Sequence, residues 1–282
     1  MAKETTRFAP SPTGHLHLGH AYAALFAAQA ADGGRFLLRI EDIDRTRCRP
    51  EYETAIAEDL AWLGLRWETP VRRQSEHMAE YRAAVDRLAA MNLVYPCFCT
   101  RAEIAAEIAR SASAPQGPDG PRYPGACRAL THDERAHRIA HGVNYALRLE
   151  MTAACARAGR LAFRDRARGE TMADPAQFGD IVLARKDAPA SYHVAVVVDD
   201  AAQGVTLVTR GADLFESTHI HRVLQALLGL PTPGYHHHRL MADDAGKRLA
   251  KRHDALSLRT LRAQGHTADQ VRAMARAAKM TA

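Results

Sequence analysis

Residues 7–20 read RFAPSPTGHLHLGH and lead into small and apolar residues that favour a helix. The two prolines favour an extended entry, and the two glycines allow the backbone to turn. A strand, a glycine-containing turn and a helix, in this order, is how α/β proteins present backbone N–H groups to phosphate. Three histidines in the turn add donors for a phosphate or an oxyanion. The stretch therefore predicts an α/β fold whose first turn binds phosphate.

The bulk composition is typical of a soluble globular protein, with 282 residues, of which 47% are hydrophobic and 25% charged. The net charge of +6, carried mostly by arginine, favours a polyanionic partner, although a genome rich in arginine codons would give the same balance. No apolar run approaches the roughly 18 residues of a membrane span, and the first ten residues lack a signal-peptide core. Five cysteines fit reduced thiols better than a disulfide framework. We therefore expect a cytoplasmic protein without a membrane partner.

Apolar periodicity and turn residues predict the elements that follow. Predicted helices cover 51–63, 75–91, 101–110, a segment capped by Ser217, 253–262 and 268–278. Predicted strands cover 35–40, 145–149, 178–184, 191–200 and 205–209. The continuous β-branched run at 191–200 is typical of a parallel strand covered on both faces. The three consecutive histidines at 236–238 are interpreted as a non-metal feature, because neighbours in a strand point to opposite faces.

A cluster of carboxylates, EDIDR, directly follows the predicted strand at 35–40. Open α/β sheets bind ligands at the carboxyl ends of their strands, so Glu41 and its neighbours could hold an ammonium group. The alternative is an exposed acidic turn paired with Arg45 and Arg47.

Several separated strings resemble class I aminoacyl-tRNA synthetases. The string HLGH at 17–20 resembles the HIGH signature, and RLAKR at 248–252 resembles a degenerate KMSKS signature, with Lys251 at the reactive lysine. Arg248 replaces the first lysine and Ala250 the serine; by itself, RLAKR would indicate only a basic surface loop. The strings RFAPSPTG, LRIEDIDRTR, SYHVAVVVDD and VTRGADL are similar to the glutamyl branch of the family.

The resemblance implies a split site for two substrates. ATP would be bound by His17, Gly19, His20 and Lys251, of which His17, His20 and Lys251 would be catalytic. Glutamate would be bound by Arg7, Phe8, Ala9, Pro10, Ser11, Glu41, Tyr192 and Arg210. In this pocket Glu41 would hold the α-amino group and Arg210 the side-chain carboxylate, which favours glutamate because glutamine forfeits a charge-assisted pair. From the residues alone, an ion pair between Arg210 and Asp213 fits equally well.

Cys97, Cys99 and Cys127 flank a proline- and glycine-rich segment and could give three thiolates to a tetrahedral Zn²⁺. Spacing alone leaves three free thiols as an equal alternative, with His132 or Asp133 as a possible fourth ligand. The glutamyl-queuosine branch of the family carries a C-x-C pair followed by Y-x-x-x-C, a pattern also present here. The resemblance therefore implies one structural Zn²⁺ per chain, held by Cys97, Cys99, Tyr123 and Cys127.

The same resemblance implies an α/β fold with a Rossmann-type parallel sheet split by an inserted, zinc-containing connecting domain. The halves of the catalytic domain would span 1–93 and 191–254, the insertion 94–190, and a short helical tail 255–282. Only 31 residues follow Lys251, so we expect no anticodon-binding domain.

Taken together, the strings are most similar to the truncated glutamyl-queuosine branch. This implies activation of L-glutamate by ATP with Mg²⁺, without tRNA, and transfer of glutamate to the queuosine base in the anticodon of tRNA(Asp), by a monomer. The alternatives are a short glutamyl-tRNA synthetase charging a 3′ end, a nucleotidyltransferase with a small acceptor, and an RNA-binding module without activity.

Overall fold

The computed structural model describes residues 3–110, 116–117, 120–185, 189–241 and 257–278. Within these ranges, no helix combines the length and apolarity needed to cross a membrane. The helices there are α1 (Leu18–Ala30), α2 (Pro50–Trp62), α3 (Met78–Ala90), α4 (Arg101–Arg110), α5 (His132–Ala140), α6 (Met151–Ala158), α7 (Tyr192–Ala202), α8 (Ser217–Leu227), α9 (Leu258–Ala263) and α10 (Ala268–Ala277). The strands are β1 (Thr5–Phe8), β2 (Arg35–Ile40), β3 (Glu68–Arg73), β4 (Val94–Cys97), β5 (Gln116–Gly117), β6 (Gly120–Pro121), β7 (Ala146–Leu149), β8 (Ala162–Asp165), β9 (Gly169–Met172), β10 (Val182–Arg185), β11 (Leu207–Gly211) and β12 (Gly234–His238).

A parallel sheet combines three strands from residues 5–73 with two strands from residues 207–238. β1 pairs with β2 and β2 with β3, all parallel, and β11 pairs in parallel with β12. The two groups meet where Thr206, just before β11, donates its N–H to the Thr5 carbonyl of β1 at 3.0 Å. The resulting order β3-β2-β1-β11-β12 confirms the expected α/β fold with a parallel sheet, and it brings residues 200 positions apart into contact.

A second, antiparallel sheet has the order β10-β7-β4 and comes from the middle of the chain. The hairpin β8–β9 lies in the same stretch of sequence, yet β8 pairs with β12 of the parallel sheet, with Asp165 opposite Tyr235. The segment 94–190 therefore contributes strands to both sheets.

Two large apolar clusters hold the helices against the sheets. One gathers the buried faces of α3, α6, α7 and α8, and the other packs α1, α2 and the tail helices α9 and α10 against β1 and β2. The buried face of α1 consists of Ala21, Ala24 and Ala27, whose small side chains allow close packing. The tail returns to the first turn, because Leu258 donates its N–H to the Leu16 carbonyl at 2.8 Å.

The strand predicted over 191–200 is wrong, because this run forms helix α7. Val194, Val196 and Val197 are all buried, so apolar neighbours cover the helix on several sides and leave no helical period in its sequence. A short apolar run of this kind cannot be assigned to strand or helix from periodicity. Its end carries Asp199 and Asp200, both buried, which tie α7 to the sheet as described below.

Other boundaries also differ from expectation. Ser217 does not cap α8, because Phe215 and Glu216 already have helical dihedrals and Ser217 is the first residue of the helix itself. The strand expected over 178–184 begins at Val182, after a 3₁₀ turn at Pro175–Phe178. The helices predicted over 101–110 and 268–278 are confirmed as α4 and α10.

Candidate active site

A cleft of about 540 Å³ lies at the carboxyl ends of the central parallel strands, where open α/β sheets bind ligands. Most of the residues predicted for the two substrates line this one cleft. They are Arg7, Phe8, Ala9, His17, Gly19, His20, Glu41, Tyr192 and Arg210.

Two predicted residues are placed outside the cleft lining, and a third is not among the described residues. Pro10 is buried and does not line the cleft. Its carbonyl accepts the N–H of Glu41 at 3.0 Å, so it holds the backbone of a residue that does. Ser11 is exposed and lines a neighbouring chamber. Lys251 lies outside the described residues.

The histidine turn is held by local hydrogen bonds. His17 is the N-cap of α1, and its Nδ1 accepts the N–H of Gly19 at 3.1 Å. The N–H of His17 donates to Nδ1 of His20 at 3.2 Å, and the two rings lie 3.8 Å apart. Since each Nδ1 accepts, the proton of each neutral ring is on Nε2. A Cβ at position 19 would lie 3.0 Å from the His17 ring, so this close approach favours glycine.

Buried ion pairs join α7 to the first two strands at the floor of the cleft. Asp200 accepts from Arg7 Nε at 3.0 Å and from Arg39 Nη1 at 2.7 Å. Arg7 also donates to the Thr209 carbonyl of β11 at 2.9 Å. Although burial alone would raise the pKa of Asp200, the two guanidinium groups bring it below its ordinary value. This network positions Arg7 beside the cleft.

The three carboxylates of the EDIDR string after β2 have different partners. Glu41 lines the cleft with its Oε1 3.3 Å from Arg39 Nη2, and burial raises the pKa of its carboxyl. Asp42 accepts from the N–H and hydroxyl of Ser75 at 2.8 and 2.5 Å. Asp44 forms an exposed ion pair with Arg47 at 2.6 Å, as the alternative interpretation of an acidic turn expected. Only Glu41 of this string therefore lines the cleft.

Arg210 is buried in the wall of the cleft, with 7% of its surface exposed. Its Nη2 donates to the Thr218 hydroxyl at 2.7 Å, and its Nη1 lies 3.1 Å from Nδ1 of His221 and 3.4 Å from the Tyr192 hydroxyl. Its Nε donates to Nε2 of His237 at 3.0 Å. Within the described chain, none of its hydrogen bonds is to Asp213, so the ion-pair alternative does not account for its position.

Sequence reasoning missed the residues that surround Arg210. Thr218 and His221 come from α8, His237 from β12, and Asp165, which contacts His237, from β8. No motif marks these four, because they converge only when three distant segments fold together. The run at 236–238 contains the one available signal, because alternate residues of a strand lie on opposite faces. His236 and His238 lie on one face of β12 against Phe26, and His237 lies on the other.

A larger chamber of about 1190 Å³ adjoins the cleft and shares Glu41 and Tyr192 with it. Arginines contribute much of its charged lining, and they come from both the parallel and the antiparallel parts of the fold. They are Arg45, Arg47, Arg101, Arg122, Arg148 and Arg185. This chamber can therefore accommodate a large anionic ligand next to the cleft.

The thiols of Cys97, Cys99 and Cys127 lie within 4.8 Å of one another. The Tyr123 hydroxyl is 3.5 Å from Cys99 Sγ, and it accepts the N–H of Cys127 at 2.9 Å. Burial raises the pKa of Cys99 to about 12. The side chain of His132 is 96% exposed and does not join the cluster. The three sulfurs are thus arranged as donors that Zn²⁺ commonly takes, with the Tyr123 hydroxyl beside one of them.

Comparison with known proteins places this geometry in a family. The catalytic domain of tRNA synthetases class I (E and Q) matches residues 3–281. A protein of Rhodobacter capsulatus named Glutamyl-Q tRNA(Asp) synthetase is 52% identical over 277 residues, which are 95% of this chain and 98% of that one. A protein of the same name from Symbiobacterium thermophilum is 44% identical over 278 residues, covering 94% of this chain and 83% of that one.

The fold also matches a solved structure. The crystal structure of a glutamate tRNA ligase from Elizabethkingia meningosepticum, in complex with its amino acid, has a TM-score of 0.75 at 29% identity. The match covers 89% of this chain and 52% of the other, so the chain spans about half the length of that ligase. Together with the histidine turn and the cleft, these matches show that the chain belongs to the class I tRNA synthetases of the glutamate and glutamine group.

Proposed function

We propose that this chain activates L-glutamate with ATP, without RNA, and then transfers glutamate to the queuosine base in the anticodon of tRNA(Asp). The observation that carries the first step is the buried guanidinium of Arg210, whose described partners are hydroxyl and imidazole groups. A buried cation without an anionic partner is unfavourable, and the side-chain carboxylate of glutamate would supply that partner.

Activation needs charge neutralisation and positioning more than covalent catalysis. An oxygen of the glutamate α-carboxylate attacks the α-phosphorus of ATP, the bond to the pyrophosphate oxygen breaks, and glutamyl-adenylate and pyrophosphate form. The Nε2–H groups of His17 and His20 donate to the phosphates, which Mg²⁺ accompanies. Glu41 holds the α-amino group, and Arg7 contacts the amino acid from the cleft floor.

Lys251 neutralises the reacting phosphate in this proposal. It lies outside the described residues, but the described residues that flank its segment support the assignment. Met241 lines the cleft, and Ser257 forms a bridge with His17. Both described residues that flank this part of the sequence, Met241 and Ser257, therefore lie next to the histidine turn.

The arginine-lined chamber is the proposed site of the RNA acceptor. It shares Glu41 and Tyr192 with the cleft, so an acceptor bound there would reach the activated carboxyl group. Its arginines suit the phosphates of an RNA loop. The identity of the acceptor base is supported by the names of the relatives from Rhodobacter capsulatus and Symbiobacterium thermophilum, and no single residue specifies it.

Transfer of labelled glutamate to tRNA(Asp) tests the acceptor. We expect labelling of tRNA(Asp) that carries queuosine, and of an anticodon stem-loop carrying it, but not of the same RNAs with guanosine at that position. Equal labelling of both forms of the full tRNA, with none of the stem-loop, would favour a short glutamate–tRNA ligase charging the 3′ end. Nucleotide transfer to a small acceptor without dependence on glutamate would favour a nucleotidyltransferase.

One structural Zn²⁺ per chain is also proposed, held by Cys97, Cys99, Tyr123 and Cys127. Arg148 lies 3.9 Å over the Tyr123 ring. Burial raises the pKa of the Tyr123 hydroxyl, so the bound Zn²⁺ itself would have to lower it for the phenolate to act as a ligand. The metal would join β4 to the segment carrying Cys127 and would stabilise this part of the fold.

We expect about one equivalent of Zn²⁺ in the purified protein and loss of that metal in Cys99→Ser and Cys127→Ser, measured by elemental analysis. Tyr123→Phe should bind Zn²⁺ more weakly in competition with a chelator. His132→Ala is the matched control, because this side chain is exposed and is not part of the thiol cluster. Loss of Zn²⁺ from His132→Ala but not from Tyr123→Phe would contradict the ligand assignment.

A further inference from the structure

The surroundings of Arg210 differ from those of the other buried arginines in the described chain. Arg7 and Arg39 each contact the carboxylate of Asp200 directly, at 3.0 and 2.7 Å. The hydrogen-bond partners of Arg210 are neutral: a threonine, a tyrosine and two imidazoles. Asp200 therefore neutralises two of the buried guanidinium groups, those of Arg7 and Arg39. Arg210 has no carboxylate among its described hydrogen-bond partners.

The carboxylate of Asp165 is linked to Arg210 through the His237 imidazole. Asp165 Oδ2 lies 2.7 Å from Nδ1 of His237 and accepts the His237 N–H at 3.1 Å, and both side chains are fully buried. The other oxygen, Oδ1, accepts the N–H groups of Ala167 and Arg168 at 2.8 and 3.0 Å. Asp165 is thus rigidly held, and it fixes the orientation of the His237 ring.

The hydrogen bonds also determine where the protons lie. His237 Nε2 accepts from Arg210, so the ring proton is on Nδ1 and points to Asp165. Burial and the adjacent Arg210 lower the pKa of His237 to about 4, which keeps the ring neutral at neutral pH. His221 is arranged in the same way: its Nδ1 faces Arg210, and its Nε2 lies 3.2 Å from His193 Nδ1.

We propose that Asp165 and His237 are positioning residues that hold the Arg210 guanidinium toward the cleft without neutralising it, and that they thereby set the preference for glutamate over glutamine. The proposal rests on glutamate being the substrate, as proposed above. A carboxylate in direct contact with Arg210 would compete with the substrate carboxylate for the same N–H donors. With a neutral imidazole in between, the geometry is fixed while the charge remains available to the ligand.

The test compares isosteric variants of both residues with a matched control. Asp165→Asn permits the opposite His237 tautomer, which would turn an N–H toward Arg210. His237→Leu removes the acceptor at similar volume, and His237→Gln retains an acceptor. His219→Leu is the control, because His219 is also buried but bonds the backbone N–H of Asp174 instead of Arg210. Folding is followed by circular dichroism, and binding of L-glutamate and L-glutamine by calorimetry.

Loss of a hydrogen bond to a charged group corresponds to roughly a 10- to 100-fold change in binding. We expect Asp165→Asn and His237→Leu to weaken glutamate binding by about that factor, with binding of ATP unchanged and the glutamate-to-glutamine preference reduced. His237→Gln should fall between these variants and the wild type, and His219→Leu should match the wild type. If His237→Leu does not fold, Asp165→Asn and His237→Gln still decide the question.

Unchanged glutamate affinity and preference in folded Asp165→Asn would overturn the positioning role, as would an equal loss of ATP and glutamate binding. Failure of the proposed function gives a different result, since the wild-type protein would then bind no glutamate at all.

Discussion

Arg210→Ala is expected to raise the KM for glutamate in ATP–pyrophosphate exchange by about 100- to 10,000-fold, with a much smaller effect on the KM for ATP. The estimate is for the loss of two charge-assisted hydrogen bonds from a buried guanidinium to the substrate carboxylate, at roughly 1.5–3 kcal/mol each. Arg210 lies among neutral partners, so its removal deletes the positive charge that the ligand would meet.

Two further variants sharpen this prediction. Arg210→Lys keeps the charge but loses the planar fork, and it should recover only part of the affinity. Arg164→Ala removes an exposed arginine next to Asp165 on β8 and should behave as wild type. A wild-type KM for glutamate in Arg210→Ala would show that the side-chain carboxylate binds elsewhere.

Asp199→Ala is expected to destabilise the folded chain by about 3–5 kcal/mol, the typical cost of leaving a buried charge unpaired. Asp199 accepts from Arg72 Nε at 2.7 Å, from Gln74 at 2.8 Å and from the Tyr81 hydroxyl at 2.8 Å, and it lies 3.6 Å from Arg39. Its removal would leave these donors unsatisfied at the contact between α7 and the strands β2 and β3. Urea unfolding followed by circular dichroism measures the change.

The matched control is Asp44→Ala. Asp44 also forms a short ion pair, with Arg47 at 2.6 Å, but this pair is exposed to solvent. Exposed ion pairs contribute little to stability because water and salt screen them. We therefore expect an unfolding midpoint close to that of the wild type, and an equal loss in both variants would contradict the importance of burial.

The first turn and the order of its neighbours could be predicted from the sequence because their signals are local. The proline and glycine pattern at 7–20 predicts a strand, a turn and a helix, and residues 5–8 and 18–30 form them. The apolar run at 191–200 predicts the wrong element, a strand instead of helix α7, for the opposite reason. The residues that bury α7 come from distant segments. The sequence of the run alone therefore does not distinguish a buried helix from a buried strand.

The sequence predicts residues that line the cleft, but not the residues that hold them in place. Motif resemblance identified Arg210 and Glu41, and the structure brings both to one cleft. Asp165 and His237 could not be found in this way, because β8 and β12 are 70 residues apart and their pairing depends on a crossover that no local pattern specifies. The arginines of the adjoining chamber are likewise scattered along the chain.

The most direct test of glutamate activation is ATP–pyrophosphate exchange with the purified chain in the absence of RNA. We predict exchange of labelled pyrophosphate into ATP that requires L-glutamate and Mg²⁺, with L-glutamine supporting it at least tenfold less well, on the order expected for one lost charge-assisted hydrogen bond. Exchange that is absent at high enzyme concentration, or that proceeds equally without glutamate, would contradict it.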